Sequence, residues 1–154
     1  MGIEENKKIA QKFFGVFDGE YFEKIENADD KEAEIAKLLT EHRLKYLGEN
    51  TIIHTPTGDK TFEENITGQI ALCTALPDLA YKTEDIISEG NIVMVRYTGS
   101  GTFTKPFFNF PPNGKRIFTN GVWIARIENG MMAENWAYYD TLGMGQQMGY
   151  VPTN

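Results

Sequence analysis

Asp140 closes an aromatic run, AENWAYYD, over residues 133–140. A carboxylate moves protons beside a carbonyl best when an apolar site raises its pKa toward neutrality. Trp136 and Tyr138 supply apolar neighbours if the run is a strand, because strand side chains alternate between two faces. Glu134, Trp136, Tyr138 and Asp140 then share one face. Ala133, Asn135, Ala137 and Tyr139 share the other. The competing reading makes Asp140 the N-cap of the following turn, TLGMGQQ. On the residues alone both readings stand.

Other side chains invite similar pairs of readings. His54 sits late in a short strand, before Thr55 and Pro56. A neutral imidazole there could exchange a proton or simply make a structural hydrogen bond. Arg96 lies among Val93, Val95 and Tyr97; it could hold a carbonyl or enolate oxygen, or pair with Asp85, Glu84 or Asp140. Arg126 carries the same two readings. His42, on a helix near Tyr46, is read as a surface or packing residue. If Asn129-Gly130 is a two-residue turn, Trp123 faces Trp136 and Thr119 faces Asp140. Facing tryptophans would make a flat wall for an aromatic ligand, or plain core. A bulge would shift that register. The loop around Phe103, Phe107, Phe108 and Phe110 is either a lid or a dimer contact.

The elements that must position these residues follow from the periodicity. Ile9, Phe13, Val16 and Phe17 predict a helix over 4–18, stopped by Gly19. Residues 20–30 form a charged, partly helical connector. A helix over 31–47 places Ile35, Leu38, Leu39, His42 and Tyr46 on one face, with Gly48 as its cap. A short strand ends at Thr55, and TPTGDK is a turn. Thr61 and Glu64 make a capping box for a helix to Leu76, ended by Pro77. Strands are expected at 79–88, 91–103, 116–128 and 131–140, then a short terminal helix. Helices followed by a four-strand meander is an α+β order. One face of the sheet is covered by helices, and the other is open to self-association.

Composition narrows the function classes. The 154 residues suit one domain spanning 1–154. Lys plus Arg is 15 against 22 for Asp plus Glu, a net charge of −7. That balance argues against nucleic acid and against anionic membrane surfaces. The single cysteine, Cys73, excludes an internal disulfide, and with two histidines no metal site is expected. Cys73 is read as a buried thiol. No apolar run suits a secretory signal or a bilayer span, so a cytoplasmic location is expected. The GSG and PNG glycines do not form a phosphate cradle.

The run PDLAYKTEDIISEGNIVMVRYTGSGTF, then PPNGK, then ENWAYYDTLGMGQQMGYVP resembles the SnoaL-like polyketide cyclase (ester cyclase) family. That family belongs to the ketosteroid-isomerase and nuclear-transport-factor-like superfamily. The resemblance implies a cone-shaped α+β fold, cystatin-like, with N-terminal helices on a curved antiparallel sheet. It implies a deep apolar pocket and cofactor-free acid–base chemistry, such as intramolecular aldol closure or a related isomerisation. The aspartate that closes the family's Trp-x-x-x-Asp motif matches Asp140. The family's Gly-Thr-His is here Gly101-Thr102-Phe103, so that histidine is absent.

The combined expectation is a cofactor-free enzyme acting on a hydrophobic carbonyl compound. Asp140 is the expected acid–base, with His54 or Arg96 assisting. Trp123, Trp136, Tyr138, Tyr46 and Phe103 are the expected substrate contacts, and a homodimer is the expected assembly. The alternatives are a non-catalytic small-molecule-binding module and a dimerisation scaffold.

Overall fold

The computed structural model describes residues 2–153; Met1 and Asn154, which the single-domain span includes, lie outside them. Helix α1 (Ile3–Phe14) ends at Gly15, earlier than its apolar pattern suggests. Asp18 then caps α2 (Gly19–Glu26) by accepting from the Tyr21 N–H at 2.9 Å. Gly19 therefore opens a helix instead of closing one. The connector is helical because Tyr21 and Ile25, one turn apart, are both buried. Asp30 caps α3 (Lys31–Leu44) in the same way. The expected capping box opens α4 (Phe62–Ala75): the Glu64 N–H donates to Thr61 Oγ1 and the Thr61 N–H to Glu64 Oε2.

Six strands follow the order β2-β1-β6-β5-β4-β3. They are β1 (Ile52–Thr55), β2 (Gly58–Thr61), β3 (Ala80–Glu89), β4 (Ile92–Thr102), β5 (Arg116–Glu128) and β6 (Met131–Tyr139). Helix α5 (Thr141–Met148) closes the chain. The expected meander forms β3 to β6, with each neighbour antiparallel. Strand β2 was expected only as a turn. Its residues, GDKT, have little strand preference, and pairing with β1 is what extends them. Strand β1 runs parallel to β6, through Ile53↔Asn135 and His54↔Trp136.

The Asn129-Gly130 hairpin forms as expected, with both residues at positive φ, 50° and 76°. Glu128 faces Met131 and Ile127 faces Met132. An irregularity then places Arg126 opposite Glu134, so Trp123 lies opposite Ala137 and Trp136 opposite Ile124. The expected wall of facing tryptophans is not built. The bulge separates them onto opposite faces of the sheet.

The inner face carries Ile117, Thr119, Gly121, Trp123, Ala125 and Ile127 of β5, all buried. Two of its glycines have a steric reason. A Cβ at Gly121 would come within 2.6 Å of the Tyr97 hydroxyl and of the Tyr138 carbonyl. A Cβ at Gly99 would sit 2.5 Å from the Tyr81 ring. Both tyrosines therefore lie down against the sheet, under the helices.

Candidate functional site

Between the helices and the inner face lies a cavity of about 310 Å³. Helix α1 contributes Phe13 and Phe14, the turn after it Phe17, and α3 Leu39, His42 and Arg43. Helix α4 adds Asn65, Gln69 and Leu72, and the sheet adds Tyr81, Tyr97, Thr119 and Trp123. The walls are largely aromatic: Phe13 and Phe14 lie 5.2 and 6.1 Å from Trp123, ring centre to ring centre. Such a lining favours a flat, unsaturated ligand.

Arg43 brings a positive charge to this wall from the apolar face of α3. Its guanidinium is enclosed by protein, and burial pushes its pKa down. By accessible surface the residue as a whole is half-buried, and it is one of the cavity-lining residues. Asn65 Oδ1 accepts from its Nη1 at 2.7 Å. The guanidinium carbon lies 5.3 Å over the Phe13 ring and 5.7 Å from Trp123. Among the described residues Arg43 forms no ion pair with a carboxylate. The signal was present in the sequence: Arg43 follows Ile35 and Leu39 at four-residue steps, on the apolar face of α3.

His42, expected as a surface or packing residue, also lines the cavity. Its Nε2 lies 2.8 Å from the Phe13 carbonyl oxygen. A carbonyl only accepts, so Nε2 carries the proton and Nδ1 keeps a lone pair in the neutral ring. Burial lowers its pKa, the Phe13 carbonyl opposes that shift, and Lys45 and Arg43 reinforce it. The ring therefore stays neutral near pH 7. Tyr46 packs 5.2 Å from His42 and 5.9 Å from Phe13. It supports the histidine from behind and does not line the cavity.

The neighbouring hydroxyls and the thiol are neutral. Burial pushes Tyr97 up to about 12 and Tyr81 higher still. Burial also pushes the Cys73 thiol up to about 11, and its sulfur accepts from Gln69 Nε2 at 3.3 Å. Trp123 Nε1 and Thr119 Oγ1 are buried with no protein partner among the described residues. Among those residues no group of three His, Cys, Asp or Glu side chains converges as a metal site.

Of the expected site residues only Trp123 lines the cavity. Asp140 is exposed, and its Oδ1 accepts from the Gly143 N–H at 2.8 Å, capping α5. The row it shares with Trp136 and Tyr138 faces away from the helices. The inner row is Asn135, Ala137 and Tyr139: the first two are buried, and Ala137 and Tyr139 line the cavity. Tyr138 is 45% exposed. Arg96 is also on the outer face, its Nε donating to Asp85 Oδ2 at 2.7 Å. His54 lies between Asp59 and Glu134, at 2.7 and 3.1 Å from its two ring nitrogens. Those hydrogen bonds raise its pKa, with Asp59 the larger cause. Arg126 joins this outer cluster through Glu134 and Glu128. Phe103 is fully buried in the core. The aromatic loop is divided: Phe107 lines the cavity and stacks on Tyr150, while Phe108 and Phe110 are exposed.

Capping makes a direct prediction for Asp140. Asp140→Ala is expected to cost about 1 kcal/mol, a fall in Tm of about 2–4 °C for a chain of this size. Asp140→Asn keeps a capping oxygen and should melt with the wild type. Scanning calorimetry checks both; an unchanged Tm in the alanine variant removes this account.

The comparisons agree with this architecture. The family model described as SnoaL-like polyketide cyclase matches residues 25–148. A search of curated proteins finds no match. Among solved structures, AclR from Streptomyces galilaeus, a candidate hydroxylase, superposes with a TM-score of 0.76 at 16% identity. That alignment covers 99% of this chain and 89% of AclR. A candidate polyketide cyclase from Acidithiobacillus ferrooxidans gives 0.69 at 20% identity, over 99% of this chain and 100% of that one. IdmH of Streptomyces antibioticus, also a candidate polyketide cyclase, gives 0.70 at 18%, over 94% and 98%. At these identities the likeness is one of fold.

Proposed function

Because the chain belongs to the SnoaL-like polyketide cyclase family, we propose that it is a cofactor-free enzyme acting on an aromatic carbonyl compound in the cavity. The observation that carries this reading is a half-buried arginine with no carboxylate partner among the described residues, beside a neutral histidine in an aromatic wall. His42 removes a proton beside the carbonyl through its free Nδ1. Arg43 stabilises the enolate oxygen that develops, and low surrounding polarity strengthens that interaction. The enolate carbon is then free to attack a second carbonyl or to be reprotonated elsewhere by the imidazolium. These outcomes are ring closure and isomerisation respectively.

The test is α-proton exchange of 2-tetralone in D2O, followed by proton NMR. Exchange faster than buffer alone, and lost in His42→Gln, supports the reading. Exchange no faster than buffer rejects it for ketones of this type. A non-catalytic binding module is the second reading. It is favoured by the state of Glu64, the one carboxylate among the cavity-lining residues, which is committed to capping α4.

The same reading includes a homodimer through the outer sheet face. Ile87 and Phe118 are 57% and 60% exposed at opposite ends of that face, and exposed apolar side chains are what a second copy would cover. Sedimentation velocity should give about twice 17.4 kDa, and Ile87→Lys with Phe118→Lys should give the monomer. A monomeric wild type removes the dimer.

A further inference from the structure

We propose that the natural ligand of this cavity is a compact aromatic carboxylate, whose acid group sits on Arg43. The inference rests on the reading that the cavity is the functional site; it adds the charge of what enters, and a carboxylate on Arg43 takes the place that the enolate oxygen of a neutral ketone would otherwise occupy.

Charge balance carries the argument first. Lys60 and Glu64, the other charged residues of the lining, cancel. His42, Tyr81, Tyr97 and Cys73 are neutral near pH 7, for the reasons given above. The cavity therefore holds one uncompensated positive charge. A buried charge without a partner is costly. The rings of Phe13 and Trp123 offset part of that cost, yet they satisfy no N–H. An enolate would compensate the charge only while it exists. A carboxylate compensates it throughout binding. A dianionic phosphate would leave a buried negative charge instead, so a single negative charge fits best.

The supply of hydrogen bonds agrees. Asn65 Oδ1 is the one hydrogen-bond partner of the guanidinium among the described residues. Arginine's planar fork leaves the other N–H groups for a ligand, and it matches a carboxylate in two-point geometry. The N–H groups that Arg43 leaves free are donors, and their complement is an oxygen-rich acceptor. The aromatic walls select the rest of the ligand, and a cavity of about 310 Å³ lies at the small end of the range for such sites.

The experiment compares 2-naphthoate with methyl 2-naphthoate on the intact chain at pH 7.5, by calorimetry and by quenching of tryptophan fluorescence. The acid is expected to bind at least about tenfold more tightly than the ester. The chain's net charge of −7 works against adventitious anion binding, so the preference has to come from the cavity. Arg43→Met should abolish the preference while changing ester affinity less than threefold. Arg43→Lys keeps the charge and loses the planar fork; it should retain only part of the acid preference, which keeps the inference testable if Arg43→Met does not fold. Equal or tighter binding of the ester overturns the proposal. So does failure of both probes to bind at millimolar concentration, or an acid preference that survives in Arg43→Met. Acid preference without 2-tetralone exchange leaves the anion site standing and removes the catalytic reading. Exchange without acid preference does the reverse.

Discussion

Arg43→Met is expected to slow enolate formation by about 10²–10³-fold, the usual effect of removing one donor aimed at a developing oxyanion. The size follows from the setting. The guanidinium is enclosed by protein and set against two aromatic rings. A charge there interacts with a nascent oxyanion far more strongly than it would in water. Met preserves most of the volume and packs against Phe13 and Trp123. The substitution leaves Asn65 Oδ1 without its donor, at about 1–3 kcal/mol, and it relieves the burial of an unpaired charge. The two effects oppose each other, so the variant should fold, with a melting temperature near the wild type. Arg43→Lys is a sharper control. A lysine brings the charge but not the planar fork, so partial activity with a raised KM is expected. Exchange of 2-tetralone at the wild-type rate in Arg43→Met would remove Arg43 from the mechanism.

His42→Gln should cost about 10²–10⁴-fold, the range for loss of a positioned general base. Gln can still donate to the Phe13 carbonyl, so the packing of α3 against α1 is kept. The pH profile carries independent information. A base works only while deprotonated. The exchange rate should therefore be flat at neutral pH and fall as pH drops through the His42 pKa. Burial is the leading cause of its shift and disfavours the imidazolium. The fall should begin below the ordinary histidine value, about 6.5. In Arg43→Met the midpoint should move up, because Arg43 is one of the charges that hold it down. A midpoint at or above the ordinary value would contradict a desolvated base.

His54 offers the contrasting case. It sits in a strand and looks poised for chemistry, yet its two nitrogens face Asp59 and Glu134 on the outer surface. Those partners favour the protonated ring, the wrong state for a base. Nothing local distinguishes it from a catalytic histidine. The decisive fact is which face of β1 it occupies, and that depends on pairing with β6, eighty positions away in sequence.

Much of the architecture is written in short-range patterns. Apolar spacing, the Thr61 cap and the Asn129-Gly130 turn act within a few residues. The helices and the four-strand meander could therefore be read from the chain. So could the family resemblance, which the family match over 25–148 confirms. The α4 capping box and β5 lie where the pattern put them, because each is specified by its own side chains.

The site was decided by contacts between distant segments. The parity of β6 was legible, but which row turns inward was set by its register against β5. One bulge between β5 and β6 moved Trp136 away from Trp123, and with that row went Tyr138 and Asp140. Arg43 stood on the apolar face of α3 in plain view, but its meaning depends on the absence of a nearby carboxylate. A side chain's type can be read from sequence. Whether its charge is met, and by what, exists only once α1, α3, α4 and the sheet have closed around it.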